Sequence, residues 1–278
     1  MKILITGISG FLGNYLFNNW TSNDFLWGIT QSNTPINNNL NFPLYNISEL
    51  DKIEQPDVVI MCHAVISNSK TKASNENLFE GNVLYTEKIR RKFPQAYFIY
   101  TSTVSVYSQE EERITEESSI KPSNGYSISK YWGELTFKDS NAGIIRFSSL
   151  YGNGMTEGTI IPNYVNMALD KNVIEVWGNG SRMQNYLHIK DAKNYIEALA
   201  VKKLNGIFLG INSVENSNIE LAKIVSEKTG AEIRFINEDN SVSVKYNNEY
   251  TLSKLNMSPG VKFSKGTEDY IVWKQKQF

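Results

Sequence analysis

The segment Tyr126–Lys130 (YSISK) places a phenol and an ammonium four residues apart, on one face of a helix predicted to begin near Asn124. An isolated tyrosine has a pKa of about 10, and a nearby cation favours its ionised form. A phenol with such a neighbour can serve as a general acid or base at neutral pH. Tyr/Lys pairs are also common on helix surfaces, so the chemical meaning of this pair depends on the rest of the chain.

Three glycines lie upstream in residues 6–13 (TGISGFLG), directly after a predicted strand and before a predicted helix. At this spacing the first glycine permits a tight turn, the second lets backbone amides approach a pyrophosphate, and the third lets the helix pack closely on the strand. The strand and helix on either side favour a dinucleotide site over an ordinary turn. The residues expected to bind the cofactor here are Gly7, Gly10, Phe11, Leu12 and Gly13.

Hydroxyl groups cluster in residues 100–107 (YTSTVSVY), at the carboxyl end of the fourth predicted strand. Ligands bind at that edge of parallel sheets. A hydroxyl there can hydrogen-bond the reacting oxygen of a substrate while a tyrosine transfers the proton. A Ser or Thr of this run, Tyr126 and Lys130 therefore form one constellation, suited to hydride chemistry at a hydroxyl or ketone carbon.

The elements that must position these groups are short β-rich runs alternating with helical patterns, which predict a parallel sheet. Apolar runs without alternation, such as Val58–Met61, indicate strands covered on both faces. The predicted fold class is α/β, a Rossmann-type doubly wound parallel sheet with a smaller, mostly C-terminal substrate-binding lobe. The predicted strands are Lys2–Thr6, Phe25–Thr30, Asp57–Cys62, Ala96–Ser102, Gly143–Phe147 and Gly206–Ile211.

Residues 1–150 and 187–212 are assigned to the dinucleotide-binding domain, and residues 151–186 and 213–278 to the substrate-binding lobe. A helix is predicted over Tyr164–Asp170 in that lobe. The asparagine-rich segment Ser32–Asn41 is predicted to be an exposed loop, and the acidic segment Glu110–Glu117 a solvated one.

A carboxylate that binds the ribose of NAD is expected near the end of the second strand. Thr30 and Gln31 stand there instead, and neither repels a 2′-phosphate. No arginine is present there to bind that phosphate. The expected cofactor is therefore NADP or NAD, with NADP slightly favoured and with Thr30 among the residues that contact it.

The 278-residue chain carries 28 Lys and Arg against 29 Asp and Glu, a balance that favours neither nucleic acid nor an anionic membrane as a partner. Its single cysteine, Cys62, excludes an internal disulfide and a thiolate metal cluster. The two histidines, His63 and His188, lack a partner at metal-ligand spacing, so no metal site is expected. With no signal-peptide pattern and no apolar run of membrane-spanning length, a cytoplasmic protein is expected.

Together, the segments TGISGFLG, STVSVY and YSISK resemble the extended short-chain dehydrogenase/reductase family, in its NAD(P)-dependent sugar-nucleotide epimerase, dehydratase and reductase branch. The resemblance covers nearly the whole chain. It implies that Tyr126 is the acid/base, that Lys130 tunes it and binds the ribose, and that Thr103, or its neighbour Ser102, orients the substrate oxygen. It also implies a homodimer formed through the helix that carries Tyr126 and its neighbour.

Three features depart from the pattern of the family that the chain resembles. Its dehydratases carry Asp-Glu directly after the catalytic threonine, where this chain has Val104 and Ser105, which argues against a 4,6-dehydratase. Many of its epimerases carry an arginine where this chain has Gln184, and Gln184 is expected to contact the substrate there. Arg182, two residues earlier, is then expected to help bind a nucleotide diphosphate, unless the diphosphate is bound differently. Asn46 stands where an aspartate commonly reads the adenine, and we expect it to take part of that role.

Asn82 falls in an apolar helical stripe with Leu78, Tyr85 and Ile89, so its side chain needs hydrogen-bond partners. A structural brace and a contribution to the catalytic surroundings fit that position equally well. His63 follows the third strand and is interpreted as a packed or cofactor-adjacent residue.

The expected function is an NAD(P)-dependent oxidoreductase acting on a nucleotide-linked sugar, first of all a 4-keto-sugar reductase with Tyr126 as general acid/base. The chain is short for the epimerases it resembles and lacks the NAD-type acid, which favours the reductase. An NAD-dependent nucleotide-sugar 4-epimerase is the alternative. A redox-sensing dinucleotide-binding protein without catalysis is a third hypothesis, and a substrate other than a nucleotide sugar also stays open.

Overall fold

The computed structural model describes residues 1–31, 42–67, 72–257 and 260–277. The loop predicted over Ser32–Asn41 lies outside the described residues. Across the described ranges, no helix combines the length and the apolar character needed to cross a membrane.

The chain divides into two compact units. Unit 1 comprises Met1–Tyr107, Ile120–Phe147 and Lys193–Leu209, and unit 2 comprises Ser108–Ser119, Ser148–Ala192 and Gly210–Phe278. The sequence predicts domain boundaries after residues 150, 186 and 212, whereas these units divide after residues 147, 192 and 209, and residues 108–119 belong to unit 2.

The strands are short, at two to seven residues each. In chain order they are β1 Lys2–Thr6, β2 Phe25–Thr30, β3 Leu44–Asn46, β4 Val58–Met61, β5 Tyr97–Thr103, β6 Arg113–Ile114, β7 Ala142–Phe147, β8 Ser149–Tyr151, β9 Val173–Trp177, β10 Met183–Gln184, β11 Tyr186–His188, β12 Gly206–Gly210, β13 Asn216–Ser217, β14 Glu232–Ile236 and β15 Lys245–Tyr246.

The α-helices alternate with these strands. In chain order they are α1 Phe11–Asn19, α2 Asn75–Phe79, α3 Tyr85–Lys92, α4 Gly125–Leu135, α5 Ile160–Lys171, α6 Ile189–Lys202, α7 Asn218–Thr229, α8 Glu249–Leu255 and α9 Phe263–Gln275. A π-helical turn, Glu80–Leu84, joins α2 to α3, and 3₁₀ turns cover Ile47–Lys52 and Val104–Val106. The helix predicted over Tyr164–Asp170 is present and begins four residues earlier, as α5.

Unit 1 is built on a seven-stranded parallel sheet in the order β12-β7-β5-β4-β1-β2-β3, which confirms the predicted Rossmann-type α/β fold. Every residue of β4 and β5 is buried, as expected for central strands covered on both faces. The chain runs outward from β1 through β2 and β3, then returns to β4 and continues in the other direction. The carboxyl ends of β1 and β4 therefore flank the point where the strand order reverses, which is where open α/β sheets bind ligands.

The described residues of unit 2 form four two-stranded sheets, in which β8 pairs with β11, β9 with β14, β10 with β13 and β6 with β15. The β6–β15 pairing draws Arg113–Ile114 into unit 2, and Glu116 accepts hydrogen bonds from the backbone amide and hydroxyl of Thr251. The prediction that Glu110–Glu117 is a solvated loop is therefore wrong at these positions, because their contacts come from residues more than 130 positions later in the chain.

Candidate active site

The glycine turn follows β1 and has the close backbone approaches that its spacing predicts. Gly7 has a φ of +68°, and a Cβ added to it would lie 2.6 Å from the backbone of His63. A Cβ on Gly13 would lie 2.3 Å from the carbonyl oxygen of Gly7. Side chains at either position would clash with backbone, so both glycines are required by the packing of the turn against β4 and α1.

Helix α1 begins at Phe11, directly after this turn, and its N-cap residue is Gly10, which has no side chain to cap the first amides. The first amides of a helix have no partner within the helix, and they bind anions readily. The turn therefore fits a pyrophosphate, with Phe11 and Leu12 supplying the amides at the helix start.

His63 connects the end of β1, just before this turn, to helix α3. Its Nδ1 lies 2.6 Å from the hydroxyl of Thr6, and its Nε2 lies 3.1 Å from the hydroxyl of Thr86. Because Thr86 donates its own hydrogen to the carbonyl of Asn82, its oxygen is free to accept from Nε2, which assigns the neutral tautomer protonated at Nε2. Burial and the field of Lys130 lower the pKa of His63 to about 3, so the ring stays neutral and packed, in keeping with its interpretation from sequence.

Helix α4 carries the Tyr126–Lys130 pair and begins with a capping box formed by Asn124 and Ser127. It packs against β5 and against the 3₁₀ turn that follows Thr103. Tyr126 is partly exposed, whereas Lys130 is 1% exposed, with its Nζ lying 4.1 Å from the ring centroid of Tyr100.

The pKa values of Tyr126 and Lys130 are shifted in opposite directions. Burial raises the pKa of the Tyr126 phenol to about 12. Burial lowers the pKa of the Lys130 ammonium to about 7, although Glu134 and Cys62 act in the other direction. The protein's own groups therefore keep the phenol protonated, and the expectation that the nearby ammonium by itself favours tyrosinate is not met.

Thr103 is the last residue of β5 and caps the 3₁₀ turn after it, accepting a hydrogen bond from the Ser105 amide at 3.1 Å. The side-chain hydroxyls of Thr103 and Ser105 lie 3.2 Å apart. Ser102 instead donates its hydroxyl to the buried carboxylate of Glu134. Ser102 is thus fixed by a buried carboxylate, whereas Thr103 donates to the neutral hydroxyl of Ser105, two residues later, so Thr103 is the better candidate for the hydroxyl that meets a substrate.

Asn82 braces helix α4 from the π-helical turn. Its side-chain amide bonds the backbone N–H and C=O of Val65, at 2.7 and 3.0 Å, and donates to the Ser129 hydroxyl at 2.9 Å. Ser129 in turn donates to the carbonyl of Tyr126. Asn82 is fully buried, so these bonds supply the partners that the sequence requires, and they make it a brace that reaches the residues beside the phenol.

The predicted adenosine-side residues occupy the carboxyl ends of β2 and β3. Thr30 ends β2, and its hydroxyl lies 3.2 Å from that of Ser9. Asn46 ends β3 and caps the following 3₁₀ turn, its side-chain oxygen accepting from Ser48. The side-chain oxygen of Asn46 is thus already bonded within the fold. Less of this side chain is therefore available to contact an adenine base.

Unit 2 contains a groove of about 330 Å³. Arg182, one of the two residues of this unit that are predicted to bind the substrate, lines the groove. Its lining includes Asn163, Tyr164, Trp177, Arg182, Asn218 and Asp239. The Nε of Arg182 is buried and has no hydrogen-bond partner among the residues that the structure describes. Gln184 is the other predicted ligand, and its amide is held by Asn218 at 2.8 Å, so Arg182 carries the group that can meet an anion in the groove.

The sequence analysis missed two features of these sites. Tyr164 lines the groove, and its aromatic side chain is its only sequence signal. Glu134 and Arg146 form a buried ion pair next to Ser102. The sequence does signal this pair, because a lone arginine in the apolar strand sequence IIRF requires a buried partner.

Comparison with known proteins gives a matching family and several relatives. Residues 3–207 match the model of the NAD dependent epimerase/dehydratase family. The chain is 28% identical over 268 residues to a dTDP-D-glucose 4,6-dehydratase of Dictyostelium discoideum, covering 80% of this chain and 61% of that protein. It is 24% identical over 267 residues to a UDP-N-acetyl-alpha-D-glucosaminuronate decarboxylase of Bacillus cytotoxicus, covering 84% and 82%.

Among solved structures, UDP-glucuronic acid 4-epimerase from Bacillus cereus, in complex with UDP-glucuronic acid and NAD, superposes with a TM-score of 0.87. The alignment covers all of both chains at 20% identity, a likeness that establishes the shared fold. The chain spans about three fifths of the length of the Dictyostelium dehydratase.

Proposed function

The chain belongs to the NAD-dependent epimerase/dehydratase family, and on that premise we propose that it transfers hydride between a nicotinamide dinucleotide and a carbon of a nucleotide-linked sugar, as a 4-keto-sugar reductase. One observation carries the proposal. Helix α4, with Tyr126 and Lys130, packs against the strand and turn that present Thr103, and the glycine turn follows β1 in the same sheet. An acid/base, a cation and an orienting hydroxyl are thus assembled at a dinucleotide fold.

The cofactor supplies hydride to the sugar carbon when it is bound. Gly7, Gly10 and Gly13, with the first amides of α1 at Phe11 and Leu12, would hold its pyrophosphate. Lys130 would bind the ribose beside the nicotinamide. Thr30 and Asn46, at the ends of β2 and β3, would contact the adenosine half.

The protein's own part in the reaction is to orient the ketone and to deliver a proton. Thr103 donates a hydrogen bond to the ketone oxygen, which develops negative charge as the carbon is reduced. Tyr126 then gives its phenolic proton to that oxygen and forms the alcohol. Because burial raises the pKa of Tyr126 to about 12, the phenol is protonated at neutral pH, as a proton donor must be.

Dehydration is disfavoured by the residues beside Thr103. Removing water from a sugar needs an acid and a base at adjacent carbons, and Val104 and Ser105 follow Thr103 in the 3₁₀ turn. Ser105 is already hydrogen-bonded to Thr103, and neither side chain titrates near neutral pH. We therefore retain the reductase over the dehydratase activity named for the Dictyostelium relative.

A nucleotide-sugar 4-epimerase is the second candidate, because the same Tyr126, Lys130 and Thr103 would serve it and because the family includes epimerases in its name. An epimerase oxidises the alcohol, turns the ketone over and reduces its opposite face. It therefore regenerates its cofactor in each cycle, whereas a reductase consumes a reduced cofactor. That difference in stoichiometry separates the two.

The choice between NADP and NAD rests on the end of β2. Thr30 carries no charge and bonds Ser9, so no carboxylate from β2 opposes a 2′-phosphate. This supports a slight preference for NADP, although the solved 4-epimerase contains NAD. The preference is tested by comparing the two reduced cofactors at equal concentration.

For the substrate, the groove in unit 2 has the features of a nucleotide-binding site. Trp177 presents an aromatic face that is half exposed, on which a base can stack. Arg182 offers the guanidinium for a diphosphate. Asn163 offers donors and acceptors of the kind that read a base edge.

A homodimer is the proposed assembly. Exposed apolar side chains lie on α4 and on the α2–α3 helical segment, a surface we name the helix-pair face; they are Phe79, Leu84, Ile128, Trp132 and Leu135. The rings of Phe79 and Trp132 lie 5.3 Å apart, so the two helices present one continuous patch. Patches of this kind mark association surfaces.

The experiment that tests the function begins with the purified protein, denatured to release any dinucleotide for identification by absorbance and fluorescence. Turnover is then measured on nucleotide-linked 4-keto sugars and on nucleotide-linked sugars. We expect NAD(P)H to be consumed one for one with the ketone. Interconversion of sugar epimers without net cofactor consumption would replace the reductase by the epimerase. Cofactor binding without turnover of any nucleotide sugar would overturn both.

A further inference from the structure

The ammonium of Lys130 lies on the face of a buried aromatic ring. Its Nζ is 4.1 Å from the ring centroid of Tyr100, and it has no hydrogen-bond partner within the part of the chain that the structure describes. Lys130 is 1% exposed. A buried cation without hydrogen bonds is costly, and the negative face of an aromatic ring is one of the few groups that can stabilise it.

Tyr100 is fixed in place on several sides. It lies in the middle of β5, paired in register with Met61 of β4 and Ile144 of β7, and it is fully buried. Its hydroxyl is 3.4 Å from the carbonyl of Lys130. On α4, a Cβ at Gly133 would lie 2.1 Å from that hydroxyl, so the absence of a side chain at Gly133 makes room for the ring beneath the ammonium.

The other charged and titratable groups around Lys130 do not take over this role. Glu134 is on the same helix, but its carboxylate accepts hydrogen bonds from Arg146 and Ser102. Cys62 and His63 at the end of β4, and Tyr126 one turn earlier on α4, are the remaining groups. Burial raises the pKa of Cys62 to about 12 and lowers that of His63 to about 3, so both are neutral.

We propose that Tyr100 is the positioning residue for Lys130: its ring stabilises the charged form of the ammonium and holds it beside the site that Tyr126 and the cofactor share. The effect on turnover rests on the proposed function, whereas the contact itself does not. The hydroxyl of Tyr100 serves to lock the ring, and the π face acts on the cation.

The ring can be tested without emptying the core. Tyr100→Phe keeps the π face, whereas replacement of Tyr100 by 3,4,5-trifluorophenylalanine keeps nearly the same shape and removes most of the negative charge from the face. The titration of Lys130 is followed by NMR of lysine labelled at ¹³Cε, with Lys130→Met identifying the resonance. Equal thermal midpoints of the two ring variants establish that both are folded.

We expect Tyr100→Phe to leave the midpoint of Lys130 nearly unchanged and the trifluoro ring to lower it by about 0.5–1.5 units, the range that a desolvated cation–π contact supports. In the trifluoro variant, the midpoint of the alkaline limb of the pH–turnover profile should shift to lower pH by a similar amount. An unchanged Lys130 midpoint in the trifluoro variant overturns the proposal. A lowered midpoint in a protein that turns over no nucleotide sugar leaves the contact standing and rejects the proposed function instead.

Discussion

The guanidinium of Arg146 donates two hydrogen bonds to the carboxylate of Glu134, at 3.0 and 2.6 Å, and both side chains are at most 5% exposed. Glu134 also accepts from Ser102, and the guanidinium of Arg146 lies 4.5 Å from the ring centroid of Tyr107. This pair therefore ties the end of α4 to β5 and β7, at Ser102.

Breaking this pair from one side should be costly, because it leaves a buried charge uncompensated. We expect Arg146→Met to lower the free energy of unfolding by about 3–5 kcal/mol, and Glu134→Leu combined with Arg146→Met to recover part of that loss. Urea denaturation measures both. The exposed pair Glu232–Arg234 is the control, since its removal should leave the free energy of unfolding nearly unchanged. Equal losses at the two pairs would contradict the assigned role.

Removing the phenol of Tyr126 should abolish proton delivery without disturbing the fold. We expect Tyr126→Phe to lower kcat by about 10²–10⁴-fold, the range of general acid/base catalysis, with cofactor affinity within a few-fold of the original. Steady-state kinetics and cofactor titration give the two numbers. Tyr131→Phe, on the same helix, is the matched control and should retain activity. Full activity in the Tyr126 variant would remove the phenol from the mechanism.

Arg182 should bind the diphosphate of the substrate. Arg182→Ala is expected to weaken binding of a nucleoside diphosphate by about 10–100-fold, as loss of a charge-assisted hydrogen bond implies. Isothermal titration calorimetry with UDP and dTDP measures the change. Arg234→Ala removes an exposed arginine of the same unit and should leave the affinity intact. An unaffected Arg182 variant would mean that the diphosphate is held elsewhere.

His63 should make the protein sensitive to acid. Its pKa is lowered to about 3 in the folded state, against about 6.5 in the unfolded chain, so the unfolded state binds more protons between these values. The stability it contributes is complete above pH 6.5 and is lost as the pH falls toward 3, by up to about 1.4 kcal/mol per pH unit. Urea denaturation at stepped pH should therefore show a steeper fall than in His63→Gln. His188 is present in both proteins and cancels from the comparison; parallel curves would reject this account.

The helix-pair face should mediate self-association. We expect Trp132→Glu to convert a dimer to a monomer, because a charge placed in an apolar interface loses its hydration on association. Sedimentation velocity measures the mass. Val201→Glu, at an exposed valine on α6, is the control. A monomeric starting protein would dismiss the dimer, and a dimer unaffected by Trp132→Glu would move it to another surface.

The sequence by itself determined six of the seven strands of the sheet, all but β3, and the position of the local motifs. Strands β1 and β2 match their predicted bounds, Lys2–Thr6 and Phe25–Thr30, because buried parallel strands leave a continuous apolar run that is read without knowing the neighbours. The glycine turn and the Tyr126–Lys130 spacing are equally local. Each depends on residues less than ten positions apart.

Only the tertiary structure decided which long-range partners these groups have. The Tyr100 ring beneath Lys130, the Glu134–Arg146 pair and the attachment of Arg113–Ile114 to unit 2 join residues 12 to 132 positions apart. The tertiary structure also distinguishes Arg182, which lines the groove, from Gln184, which is bound to Asn218. Burial sets the pKa values of Lys130 and Tyr126 through surroundings drawn from several strands and helices, and no spacing along the chain specifies that environment.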